Sequence, residues 1–157
     1  MLRCLIFWVA ILVVGCSSQT QETVVFPVTD IILKTPQQVE DKLGTPDSAY
    51  TIRIMGKPIY CQRYNRHNVE IQFLEGQASD IVVNGPHGLP FNPTALREFG
   101  IAEKIHPSDY QKGRYIRWSN TKQFSAISFY NPELDSLGRI VNFSVFFKAK
   151  NQAGLVN

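Results

Sequence analysis

Side chains able to do covalent or acid–base chemistry are few and scattered in this 157-residue chain. The histidines are His67, His87 and His106. No two of them stand four apart, and none has a cysteine at ligand spacing, so no metal site is expected. No Gly-x-Ser-x-Gly, P-loop or dinucleotide motif occurs. Asp80 with Glu70, and Glu133 with Asp135, come nearest to carboxylate pairs, and they read as solvated strand and loop positions. No catalytic residue and no cofactor is expected, and the chain reads as a non-enzyme. A small hydrolase without a recognisable motif is the competing class, and it would need His, Ser and a carboxylate in one concave pocket. Two features remain with chemical content. One is the thiol of Cys16. The other is arginine beside an aromatic ring, at Arg63-Tyr64 and again at Arg117-Trp118. Those residue types concentrate binding energy at protein interfaces.

Cys16 closes the N-terminal segment. Arg3 supplies a positive charge, and Leu5 to Val14 is an unbroken apolar run. That run is about half of the ~20 residues a helix needs to span a bilayer, so it reads as an export signal. Val13-Val14-Gly15-Cys16 resembles the lipobox of bacterial lipoproteins. The resemblance implies cleavage before Cys16, a lipid such as palmitate on its thiol, and acylation of the new amino terminus. Each buried CH₂ contributes about 0.8 kcal/mol and one chain alone binds reversibly, so several chains make a lasting anchor. Ser17, in place of an aspartate, implies by the same resemblance the outer membrane of a Gram-negative cell, with the domain facing the periplasm.

Loss of residues 1–15 removes Arg3 and Cys4. The mature chain then has fifteen basic and thirteen acidic residues, a net charge of about +2. That charge is too small and too evenly spread for nucleic acid. Cys61 is left without a partner for an intramolecular disulfide and reads as a small buried residue.

The elements that must position these residues show an internal repeat. Residues 16–33 form a lipid-anchored tether and an edge segment. The first unit, 34–84, opens at Thr35-Pro36-Gln37-Gln38, where Thr35 is placed as N-cap, Pro36 as N1 and Gln38 as the partner in a capping box. Gly44 ends that helix. After a connector at 85–91, the second unit, 92–150, opens with the same punctuation: Asn92, Pro93, an apolar face, then Gly100. Residues 151–157 are a tail. Strands are expected at 60–64, 69–73 and 78–83 in the first unit and at 114–118, 124–130 and 139–147 in the second. Leu74-Glu75-Gly76-Gln77 reads as a hairpin turn, and residues 131–138 as a longer one. The fold expected is α+β: two tandem units, each a short helix (36–43 and 93–99) packed on a three-stranded antiparallel meander.

The helix start Pro-Gln-Gln-Val-Glu-Asp-Lys-Leu-Gly-Thr-Pro (36–46) and the strand and turn Val-Glu-Ile-Gln-Phe-Leu-Glu-Gly-Gln (69–77) resemble the SmpA/OmlA group of small outer-membrane lipoproteins and the wider β-lactamase-inhibitory-protein-like fold. Leu33-Lys34-Thr35-Pro36 stands where that group often has Gly-Met-Thr. The resemblance implies a protein-binding lipoprotein, an accessory factor in envelope or outer-membrane assembly, and it carries over no active-site residue. It also admits an envelope inhibitor of an enzyme such as a β-lactamase or a lysozyme.

In a helix-on-sheet unit the second face of the sheet is open. Tyr64, Arg117 and Trp118 are therefore expected as anchors on that face, for an envelope protein that the sequence does not identify. The other placement is in the core, if the two sheets join or a tail covers the face.

Overall fold

The computed structural model describes residues 26–86, 88–101 and 104–150. Cys16 and the lipobox lie outside these residues, as does His87. No helix among the described residues is long and apolar enough to cross a membrane.

The chain enters through a single helical turn, α1 (Val28–Ile31), followed by α2 (Pro36–Leu43). An irregular or edge-strand segment packed onto the domain was expected before α2. The segment packs as a helical turn rather than a strand, with Phe26, Val28, Ile31 and Ile32 all buried. α2 begins as its sequence dictates. The Thr35 hydroxyl accepts from the Gln38 amide at 3.3 Å, and the Thr35 amide donates to the Gln38 side chain at 3.1 Å. Gly44 ends the helix at φ 84°, a conformation that costs glycine little.

Eight strands follow: β1 (Ser48–Ile54), β2 (Lys57–Tyr64), β3 (Val69–Leu74), β4 (Gln77–Asn84), β5 (Asp109–Gln111), β6 (Tyr115–Ser119), β7 (Phe124–Leu134) and β8 (Ile140–Ala149). They form one antiparallel sheet in the order β1-β2-β3-β4-β8-β7-β6-β5. The expectation of two units, each a helix on a three-stranded meander, is thereby overturned. The fold is β-rich, and residues 80–84 of β4 pair with 144–148 of β8 to make one continuous sheet. β1 and β5, which the sequence reading left out, form its two edges. The expected helix at 93–99 is a 3₁₀ helix, Pro93–Phe99, capped by Asn92, whose side chain accepts from the Thr94 amide at 2.8 Å. The long turn expected at 131–138 is shorter, because β7 continues through two irregularities to Leu134.

Alternation sorts the strands into two faces. Inward residues include Tyr64, Val69, Ile71, Ile81, Val83, Ile116, Trp118, Ile127, Phe129, Val145 and Phe147. They share one core with Val28 and Ile31 of α1, Val39 of α2, and Ala95, Leu96 and Phe99 of the 3₁₀ helix. Burying each of the larger side chains contributes about 1.5–3 kcal/mol, which holds helical segments too short to persist alone. Ile59, Cys61 and Ala126 are buried on the opposite face and stand outside this core.

Candidate interaction surface

The outward face is the one without a helix against it among the described residues. One row of residues crosses it from edge to edge. Ser48 pairs with Arg63, Arg63 with Glu70, Glu70 with Val82, and Val82 with Phe146. Phe146 then pairs with Ser128, Ser128 with Arg117, and Arg117 with Asp109. Period 2 puts all of these side chains on the same side of the sheet.

Tyr64 and Trp118 are not among them. Tyr64 is 2% exposed and Trp118 is 1% exposed, both in the core. Of the three anchors expected from sequence, only Arg117 is exposed on the outward face. The reason is parity. Each aromatic residue follows its arginine by one position, so the two side chains leave the strand on opposite faces. Each buried ring finds a partner for its polar atom. The Tyr64 hydroxyl donates to Gln62 Oε1 at 3.0 Å, and Gln62 Nε2 donates to Glu40 of α2 at 2.6 Å. Burial, and next the charge of Glu40, push the Tyr64 hydroxyl up to about 12. Trp118 Nε1 donates to the Ile105 carbonyl at 3.3 Å, and its ring meets Phe129 edge-on at 5.2 Å.

The two outward arginines have different surroundings. Arg63 Nη2 donates to Glu70 at 2.8 Å and to the Tyr50 hydroxyl at 3.1 Å, and its guanidinium lies 5.6 Å from the Tyr50 ring centre. Burial pushes the Glu70 carboxyl up, but hydrogen bonds from Arg63 and Tyr50 and the Arg63 charge outweigh it. The carboxyl ends below its ordinary value. At the matching place in the second half, β7 presents Ser128 to Arg117 where β3 presents Glu70 to Arg63. Asp109, across from Arg117 on β5, accepts the Tyr115 hydroxyl. The Arg117 guanidinium makes no hydrogen bond or ion pair with the described residues. Tyr130 lies on β7 on the same face, half-buried, with its hydroxyl pushed up mainly by burial.

The remaining chemical candidates sit apart. Among the described residues no three His, Cys, Asp or Glu side chains cluster as metal ligands. His67 follows β2 and packs near Phe26. His106 borders an apolar groove floored by Leu96, Ile101 and Ile105 and rimmed by Arg97 and Lys104, with no serine or carboxylate among the described residues that line it. Cys61 is fully buried beneath the outward face, and burial raises its thiol above the ordinary value. Asp80 takes a hydrogen bond from Ser79 at 2.7 Å, and Asp135 is held by Arg139 at 2.7 Å, so both carboxylates serve local structure.

Sequence reasoning missed Tyr50, Arg63 and Glu70 as a cluster. The pairing of Arg63 with Glu70 was within reach, because a hairpin that turns at 65–68 places them opposite one another. Comparison with family models, characterised proteins and solved structures finds no match to the chain.

Proposed function

We propose that this chain is a lipid-anchored, protein-binding module of the Gram-negative outer membrane, an accessory factor in envelope assembly, held by lipid on Cys16 with its domain in the periplasm. It docks its partner through the outward sheet face of the second half, with Arg117 as the charged anchor. The observation that carries this reading is the contrast between Arg63, which is ion-paired with Glu70, and Arg117, which has Ser128 at the matching place and Asp109, engaged by Tyr115, on its other side. An exposed arginine fork on the same face as half-buried Phe146 and Tyr130 suits a partner that brings a carboxylate and an apolar side chain. A lipid anchor confines the domain to a thin layer and raises its effective concentration near membrane partners, so a modest interface suffices.

A photo-crosslinking residue at Ser128, in the full chain in intact cells, tests the docking face. The expected result is a discrete crosslinked protein, identified by mass spectrometry and missing when the probe stands at exposed Gln37 on α2. Equal capture from both positions, or none from Ser128, contradicts it. The identity of the captured protein separates an assembly partner from an enzyme under inhibition. Fatty-acid labelling tests the anchor separately: the wild-type chain takes label and Cys16→Ala does not.

A further inference from the structure

The two edges of the sheet are built differently. β5 is three residues long and carries Asp109. Pro107 stands two positions before it, and exposed Lys112 and Arg114 follow it. Short, charged, proline-flanked edges keep other strands away. β1 is the longer and more regular edge, although Pro46 stands two positions before it as Pro107 does before β5. It is seven residues long, pairs with β2 position by position without a bulge, contains no proline, and carries one charge, at Arg53. Among the described residues no strand pairs with its outer side. The turn that follows it exposes Met55 at 98%, next to Ile54 at 46%. An edge of this kind presents a row of backbone N–H and C=O groups ready for another strand.

We propose that β1 pairs antiparallel with β1 of a second copy of this chain, in a register centred on Thr51. The two-fold axis relating two antiparallel strands of one sheet is normal to that sheet, so every residue keeps its face and only even register sums are allowed. Centring on Thr51 uses the whole of Ser48–Ile54. It places Tyr50 opposite Ile52 twice, on the outward face. An aromatic ring against a β-branched side chain is a favourable cross-strand pair. On the helix side it places Thr51 against Thr51, a pair whose hydroxyls hydrogen-bond, and Ala49 against Arg53. The two Arg53 side chains never meet, because each stands four residues along from its own counterpart, about 13 Å away. The strand is therefore complementary to itself, with no like charges opposed, and an open edge is thereby closed. Nothing in this pairing depends on the partner proposed for the Arg117 face.

Cysteine pairing reads the register directly. In the full chain expressed in a bacterial host and treated with a membrane-permeant oxidant, Thr51→Cys places two thiols on directly opposed residues, within reach of a disulfide after small adjustment. Thr51→Cys is expected to give a thiol-reversible dimer in at least about tenfold greater yield than Ala49→Cys or Arg53→Cys alone. Ala49→Cys and Arg53→Cys chains expressed together are expected to crosslink to each other. Cys61 is fully buried and does not compete. No dimer from Thr51→Cys, or equal yields at all three positions, overturns the proposal. Charge gives a second and independent measurement. With Thr51→Lys in both chains of the Ala49→Cys and Arg53→Cys pair, the crosslink is expected to fall. With Thr51→Lys in one chain and Thr51→Glu in the other, it is expected to return. An unchanged yield with lysine in both chains overturns the pairing. Residues 49, 51 and 53 are all exposed, so these variants leave the fold intact.

Discussion

The two halves of the sheet place the same strands around a common seam and fill the same positions with different chemistry. In β1–β4 the inward polar position is Gln62, tied to Tyr64 and through Glu40 to α2, and the outward arginine is tied to Glu70. In β5–β8 the matching inward position is Ile116, followed on the same face by Trp118 within a group of phenylalanines, and the outward arginine has a serine on one side and Asp109 on the other. The first half pairs its outward arginine with a carboxylate. The second half derives its cohesion from aromatic packing and leaves a cation at the surface. The lesson is that a shared strand order fixes where a side chain points, while the residue opposite decides whether it serves the fold or is available to a partner.

Stability measurements sharpen this contrast. The largest effect is expected at Trp118→Ala, which empties a fully enclosed site against Phe129 and removes the donor to Ile105. The loss should be about 3–5 kcal/mol, read from denaturant unfolding. A smaller loss is expected in the first half at Tyr64→Phe. That variant keeps the ring and deletes the hydroxyl that donates to buried Gln62, so the cost should be about 1–2 kcal/mol. If Tyr64→Phe proves as costly as Trp118→Ala, the division between a polar and an aromatic half fails.

The smallest effect concerns pH. The Glu70 carboxyl lies lower in the folded state than in the unfolded chain. Its contribution is therefore present at neutral pH and is lost as pH falls below the ordinary carboxylate range and through the folded value. Arg63 is half-exposed, and solvent screening holds this contribution below about 1 kcal/mol. Glu70→Gln should flatten that part of the stability–pH profile, whereas Arg117→Ala should leave it unchanged. A profile flattened equally by both would mean that the two arginines are not distinct.

Local signals in the sequence carried over well. The Thr35–Gln38 capping box, the stop at Gly44 and the turn at Glu75-Gly76 are written in neighbouring residues, and each appears where its residues place it. Non-local features were not legible. Joining the halves depends on pairing residues 80–84 with 144–148, which no local pattern announces. β1 reads as Ser-Ala-Tyr-Thr-Ile-Arg-Ile, without a clear buried face, because an edge strand buries little. Parity in β2 was hidden because both of its faces are covered: Ile59 and Cys61 lie beneath one, Gln62 and Tyr64 beneath the other. Without alternation the phase of the strand is undetermined, and that is why Tyr64 was expected at the surface; β6 alternates cleanly, with Ile116 and Trp118 in and Arg117 out, so the phase of Trp118 was legible. The distinction between an α-helix and a 3₁₀ helix at 93–99 is likewise absent from the punctuation, since Asn92, Pro93 and Gly100 suit both.

The most direct test of the Arg117 face compares matched variants against the protein captured at Ser128. Arg117→Ala and Arg63→Ala remove the same side chain from equivalent outward positions. Loss of an interface anchor costs about 2 kcal/mol or more, close to a thirtyfold change in affinity. Arg117→Ala is expected to weaken binding by that amount, while Arg63→Ala should change it less than about threefold. Equal effects from the two, or a larger one from Arg63→Ala, would contradict the assignment of docking to the second half.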